Sequence, residues 1–262
     1  MAQNFQTAQD IIERLRTADA EEFEVLERSL AADSRKTVRQ AVEVAKRRLE
    51  AQEAEALRLA QMYSFQDEIA GGRLCVGLDE VGRGPLAGPL TVGAVVLPAD
   101  AHIEGLNDSK QVAPHDRERI AAEVKDVALA WSVQHIAPDA IDAAGMTASL
   151  RVAFMRAVAD VESQGIRPEV VLLDGNPLHM DPREVNVVHG DARCASIAAA
   201  SIIAKVTRDA LMVKYATEYP QYGFEKNKGY ASADHQQAIR DFGMCPIHRV
   251  SFCGAFLQDS LF

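Results

Sequence analysis

Apolar positions recur along this chain in two rhythms. Up to about residue 70 they follow helical spacing in a heavily charged background that contains no glycine and no proline. Asp19, with Glu22 three residues on, marks a helix start, and Phe23, Leu26 and Leu30 follow it. Ser34 is placed to cap a longer helix with Val38, Val42, Ala45 and Leu49 on one face. After Gly71-Gly72 the rhythm changes. Short continuous apolar runs stand at 74–78, 90–97, 128–136, 170–173 and 185–188, as expected of buried strands. Helical patterns run from Pro114 to about Val127, from Ser149 to Gln164, from Ala195 to Tyr219 and from about Ser232 to Asp241. In the second of these, Val152, Met155, Val158 and Ala159 are the expected buried face, and Gly165 stops it. Pro220 ends the third. The stretch from Pro138 to Gly145 reads as a connector, and the chain past Asp241 as an irregular tail.

Three early strands on short connections suggest an antiparallel meander, and two later ones separated by helices suggest parallel additions. The pattern is α/β, a mixed sheet with helices on both faces. The composition break at Gly71-Gly72 divides a helical extension, residues 1–70, from a main body, 71–262. With 48% hydrophobic residues among 262, the chain can bury a sizeable core. No apolar run reaches membrane-spanning length and no leader pattern opens the chain, so a cytoplasmic protein without a membrane partner is expected. Cys75, Cys194, Cys245 and Cys253 lack zinc-site spacing and read as reduced thiols. The net charge of −10 weighs against a nucleic-acid partner. Yet net charge is a sum, phosphate binding needs only a local basic groove, and carboxylates that hold cations change sign in use. One basic run stands out: Arg35, Lys36, Arg39, Lys46, Arg47 and Arg48 against Glu43. It reads either as a solvated helix face or as a helix lying along a phosphate backbone.

The candidate chemistry is carboxylate. The first strand delivers Asp79 and Glu80, then Gly82-Arg83-Gly84 and a Pro/Gly-rich turn from Pro85 to Pro89. Adjacent side chains on a regular strand point to opposite faces, so Asp79 and Glu80 converge on one cation only if the strand ends or bulges there. The glycines let a backbone pass close to a ligand. Asp174 stands at the end of a buried strand, and Asp191 between another strand and the longest apolar helix. Each acid alone also fits an ordinary turn. Four at adjoining element ends, with no histidine or cysteine set of comparable placement, suit Mg2+ or Mn2+ better than zinc.

The run from Asp79 to Pro89, Asp-Glu-Val-Gly-Arg-Gly-Pro-Leu-Ala-Gly-Pro, resembles the signature of ribonuclease HII. Leu173-Asp-Gly, Gly190-Asp191 before Ser196-Ile-Ala-Ala-Ala, and Asn227-Lys-Gly-Tyr230 continue the resemblance, which spans about residues 73 to 253. It implies a ribonuclease H-like fold, a mixed five-stranded sheet with helices on both faces, an N-terminal helical extension and a C-terminal helical or irregular segment. It implies an endonuclease that cuts 5′ of ribonucleotides in RNA/DNA hybrids and of single ribonucleotides in duplex DNA, leaving 3′-hydroxyl and 5′-phosphate ends. Asp79, Glu80, Asp174 and Asp191 would hold two Mg2+ or Mn2+ ions, about 3.5–4 Å apart, that serve the attacking and leaving oxygens. Backbone groups of Gly82, Arg83 and Gly84 would meet the ribose 2′-hydroxyl, and Tyr230 would stack on the next sugar. Ser109, Lys110, Lys205 and Arg208 are candidate phosphate contacts, the last two one turn apart on a helix. His248-Arg249 matches the family's tail without an assignable role. Two alternatives compete: a ribonuclease HIII-type hybrid nuclease, against which the intact Gly-Arg-Gly speaks, and a non-catalytic nucleic-acid-binding module, against which the four acids speak. The end of the chain, Gln258 to Phe262, resembles a sliding-clamp-binding motif. The enzyme is expected to be a monomer.

Overall fold

The computed structural model describes residues 7–257. The chain divides into two compact units, residues 1–60 and 61–262. The first holds α1 (Ala8–Thr17), α2 (Ala20–Leu30) and the larger part of α3 (Lys36–Ala70). Thr7 opens α1 with a capping box. Its hydroxyl accepts the Asp10 N–H at 3.2 Å, and the Asp10 carboxylate accepts the Thr7 N–H at 3.2 Å. Asp19 caps α2 as its spacing predicts, accepting the Glu22 N–H at 2.8 Å. Ile11, Leu15, Phe23, Leu26, Leu30, Val38 and Ala45 close a small core. Arg48 reaches back to the Ala18 carbonyl at 2.5 Å. Of the basic run, Arg35 is paired with Asp33 at 2.6 Å and Lys46 lies 4.0 Å from Glu27.

The second unit is built on five strands: β1 (Cys75–Val81), β2 (Leu90–Val96), β3 (Ala130–Ile136), β4 (Val170–Asp174) and β5 (Glu184–Val187). Their order is β3-β2-β1-β4-β5. The first three pair antiparallel, and β4 and β5 join in parallel. This is the mixed sheet that the spacing of apolar runs suggests. On one face, Val76, Leu78, Val92 and Ala94 pack with Phe154, Ala157 and Val161 of α6 (Met146–Ser163). On the other lies α8 (Ala195–Glu218), close enough that a Cβ on Gly77 would stand 2.2 Å from Ser196 C and one on Gly93 2.3 Å from the Ala200 carbonyl. The run of small residues from Ala198 to Ala200 permits that approach.

The other helices are α4 (Pro114–Val127), α5 (Pro138–Ala144), α7 (Gly190–Arg193), α9 (Phe224–Asn227), α10 (Ala233–Phe242) and α11 (Val250–Leu257). Four expectations are corrected. β1 runs through both acids to Val81 without a bulge, Asp79 opposite Gly93 and Glu80 opposite Val92, because β2 continues to pair with it. The buried face of α6 is Leu150, Ala153, Phe154, Ala157, Val158 and Val161, while Val152 and Met155 are 38% and 48% exposed. Phe154, the largest apolar side chain there, sets the face. Pro138 and Gly145 bound a helix, α5, serving as its first residue and its C-terminal stop. The tail is helical at α11. Gln258 to Phe262 lie outside the described residues. Among the described residues, no helix is long and apolar enough to cross a membrane.

Candidate metal centre

The parallel ladder between β1 and β4 pairs Cys75–Leu78 with Val170–Leu173 and then stops. The next position on each strand is an acid, Asp79 and Asp174. Side chains alternate along a strand. Asp79 therefore shares the face of Gly77, which α8 covers, and Asp174 shares the face of Leu172, which packs with Ile197 of α8. Glu80 falls on the opposite face, with Leu78. The two neighbouring acids nonetheless both lie close enough to Asp174 to be affected by its charge, without a bulge, where the β1–β4 ladder stops. The Gly190 N–H donates to Asp174 Oδ1 at 2.7 Å, which fastens the start of α7 and with it Asp191. A Cβ on Gly190 would stand 2.6 Å from Ile197 Cδ1 and 3.2 Å from Asp174 Oδ1. Lys110 Nζ lies 3.2 Å from Asp191 Oδ2 and 3.6 Å from Asp108 Oδ1. Arg83 Nη1 lies 3.1 Å from Glu80 Oε1.

Charge is poorly compensated in the middle of this group. Burial, then the nearby Glu80 and Asp174, hold the Asp79 carboxyl well above the usual carboxylate range, against a hydrogen bond from Ser201. Burial and Asp174 also raise Glu80, which Arg83 opposes. Burial and Asp191 raise Asp174, which the Gly190 N–H opposes. Burial alone would lower Lys110, but Asp108, Asp191 and Asp79 outweigh it and the ammonium is raised. Among the described residues, Asp79 and Asp174 make no ion pair, and the chain's own cations stand only on the flanks, at Glu80 and Asp191. Oxygen donors, desolvated and short of positive charge, fit a hard divalent cation. The carboxylates are not preassembled as a closed cage: among the described residues no three acid, histidine or cysteine groups already converge on one point.

Around the acids the chain is held in unusual conformations. Gly82 has φ 91°, and a Cβ there would stand 2.4 Å from Arg208 Nε, so a side chain fits neither the angle nor the space. Gly84 faces open space. Of the three described non-glycine residues with positive φ, two stand directly before site segments, His189 before Gly190-Asp191 and Lys228 before Gly229-Tyr230. Tyr230 is 43% exposed, with the Arg208 guanidinium 5.9 Å from its ring centre. Ser109 is buried, its hydroxyl 2.9 Å from that of Ser201, which accepts from it while donating to Asp79. Lys110 is exposed at the rim. Lys205 is in an ion pair with Asp209 at 2.9 Å.

Arg208 does not stand where a phosphate contact would. It is 0% exposed, and all three guanidinium nitrogens donate to carbonyls, of Pro89, Lys228 and Ala87. Helical spacing aligned it with Lys205, but the loop from Gly82 to Pro89 covers it. Sequence reasoning missed Ser201, which bridges Asp79 and Ser109, and Asp108, which shares Lys110 with Asp191. A serine within the buried, small-residue first half of α8 was the available signal, since buried hydroxyls find partners.

The geometry has counterparts. The family model for Ribonuclease HII matches residues 76–255, and that for the Ribonuclease HII N-terminal domain matches 7–70. A Ribonuclease HII of Halalkalibacterium halodurans is 38% identical over 240 residues, 91% of this chain and 90% of its own. One from Ruminiclostridium cellulolyticum is 42% identical over 204 residues, 77% of this chain and 79% of its own. The crystal structure of the ribonuclease H2 from Pyrococcus horikoshii superposes with a TM-score of 0.59 at 27% identity, over 71% of this chain and 98% of that one. Since these matches run through the parted sheet and its acids as well as the helices before them, the chain belongs to the ribonuclease HII family and is an endonuclease of the ribonuclease H type.

Proposed function

We propose that the chain hydrolyses the phosphodiester 5′ of a ribonucleotide, in RNA/DNA hybrids and at single ribonucleotides in duplex DNA. The products carry 3′-hydroxyl and 5′-phosphate ends, and Asp79, Glu80, Asp174 and Asp191 hold two divalent ions, Mg2+ or Mn2+. What carries the reading is the emergence of Asp79 and Asp174 side by side where the β1–β4 ladder stops, with Asp191 fastened to the same point through Gly190. Two bound ions, about 3.5–4 Å apart, would lower the pKa of the attacking water and offset charge on the leaving oxygen.

The chain's own part is orientation. The Glu80 N–H donates to Asp79 Oδ1 at 2.7 Å and Ser201 bonds the same carboxyl, so Asp79 is aimed before any ligand arrives. Gly190 does the same for Asp174. Backbone groups of Gly82, Arg83 and Gly84 meet the 2′-hydroxyl, the group that separates RNA from DNA, and the exposed face of Tyr230 meets the next sugar. Lys110, exposed on a flexible stem, turns to a phosphate, and Ser109 anchors its loop.

The test is cleavage of an end-labelled duplex with one ribonucleotide, beside an RNA/DNA hybrid and an all-DNA duplex, in Mg2+. A nick 5′ of the ribonucleotide, with a 5′-phosphate and an intact all-DNA duplex, is expected. A nick on its 3′ side, or a 2′,3′-cyclic phosphate end, overturns the reading. For Gln258 to Phe262 we propose docking on a sliding clamp, supported by the spacing of the glutamine and the Leu-Phe pair. Equal clamp binding by the full chain and a chain ending at residue 257 overturns that.

A further inference from the structure

Two arginines of the second unit, Arg208 and Arg249, are fully buried and, among the described residues, make no ion pair; Asp209 and Asp142 act on them only from a distance. Arg249 donates through Nη2 to the carbonyls of Gly82 at 2.6 Å and Gly88 at 2.8 Å, through Nη1 to Arg83 at 2.9 Å and through Nε to Gly88 at 3.0 Å. Arg208 takes the rest of the same loop, the carbonyls of Ala87 at 3.2 Å and Pro89 at 3.0 Å, and that of Lys228 at 3.0 Å. Burying a guanidinium on neutral carbonyls is costly. Burial pushes both guanidinium groups down, Arg249 to about 10, and Arg208 adds to the pressure on Arg249. A planar fork of fixed donors is what such an arrangement provides in return: it sets the spacing of the carbonyls it binds.

The residue before Arg249 has a second attachment. His248 Nδ1 accepts the Cys245 N–H at 2.9 Å, which leaves Nε2–H to donate to His235 Nε2 at 3.0 Å. His235 Nδ1–H then donates to the Tyr230 carbonyl at 2.8 Å. Two neutral imidazoles satisfy this chain with one placement of protons. Both rings are buried, packed against Tyr222 and Phe224. Backbone bonds complete the fastening. The Gly229 carbonyl accepts the Leu86 N–H at 2.8 Å, the Ile247 carbonyl accepts the Gly88 N–H at 2.8 Å, and the Leu86 carbonyl accepts the Arg249 N–H at 2.8 Å. Three segments far apart in sequence, 82–89, 227–230 and 247–249, are thereby stitched into one body.

Resting on the reading of the Gly82–Gly84 loop and Tyr230 as the parts that meet the ribose, we infer that His248 and Arg249 are positioning residues for ribonucleotide recognition. Arg249 fixes the loop that faces the 2′-hydroxyl. His248, through His235, fixes the backbone of Tyr230. The tail dipeptide so holds both halves of the sugar-reading surface at one separation, without touching the substrate.

The test measures binding in Ca2+, used to hold cleavage off, to an all-DNA duplex and to the same duplex with one ribonucleotide. The ratio of the two Kd values is read for the wild type, Arg249→Lys and His248→Asn, with thermal melts alongside. Arg249→Lys keeps the charge but loses the fork; His248→Asn is too short to reach His235. Each variant is expected to lower the ratio about tenfold, with all-DNA binding within about twofold of wild type. Rescue of the ratio by His248→Gln, whose amide can still donate, supports the relay. An unchanged ratio in folded variants overturns the proposal. Unfolding of both Arg249→Lys and His248→Asn also overturns it, because the pair is then a stability element only. A wild type with no preference for the ribonucleotide defeats the recognition reading itself, an outcome distinct from the other two.

Discussion

Asp79 shows what a single residue discloses in sequence and what it withholds. The type and company of the acids were legible, because two carboxylates before a glycine-rich turn have few structural uses. That Asp79 and Asp174 emerge side by side was not, because it depends on which neighbouring strand stops pairing, and Asp174 lies far away in sequence. Arg208 failed for the opposite reason. Its helical face is legible, but the loop that covers that face is not. Asp79→Asn and Asp191→Asn are expected to lower cleavage by more than about 100-fold, since even outer partners of metal ligands are worth 10–100-fold. Asp79→Asn should also melt no lower than wild type without metal, because it relieves a carboxylate whose charge burial and the neighbouring Glu80 disfavour. Turnover within a few-fold of wild type contradicts the assignment. Tyr230→Ala should lower turnover at a single ribonucleotide by about 10–100-fold, the worth of one lost stacking contact, with a smaller loss in duplex binding. Equal losses would mark a merely structural ring.

At the scale of elements, continuous apolar runs located all five strands, most plainly β1, β2 and β4, whose burial on both faces leaves a clear signature. The face of α6 was misread because a short helical repeat allows neighbouring alignments, and the sheet surface chooses among them. The histidine pair between α10 and α11 was invisible for the same reason: the two rings meet only in three dimensions. It yields a prediction with a sign. Burial, then His235, lowers His248 from about 6.5 to about 4, and burial lowers His235. Its other close titratable neighbours are Cys245 and Tyr222. In the unfolded chain the imidazoles take up protons first, so the pair's contribution is intact above about pH 6.5 and is lost progressively as pH falls toward about 4. Thermal melts across that window should show a steeper decline for wild type than for His248→Gln. Parallel declines would contradict the neutral pair.

For the whole molecule, the composition break reads as a boundary at Gly71-Gly72, just after α3 ends at Ala70, whereas the two compact units divide between residues 60 and 61. Composition could not show which core the last turns of α3 join. Phe65, Ile69 and Ala70 pack with Cys75, Val170, Leu172 and Ile197, and Gln66 Oε1 accepts the Ser196 N–H at 2.6 Å. A chain beginning at residue 61 should therefore fold, while one beginning at 71 should lose at least about 2–4 kcal/mol of stability, from uncovered apolar surface and an unpaired amide. Urea midpoints compare the two, and equal midpoints would refute this. The central claim is that acids from β1, β4 and α7 form one divalent-metal centre, and calorimetric titration of Mn2+ into the full chain tests it most directly. The wild type should bind with a saturable isotherm, and Asp79→Asn and Asp174→Asn, each still folded, should each weaken binding by more than about tenfold. Mn2+ binding that is unchanged in both variants would contradict the account.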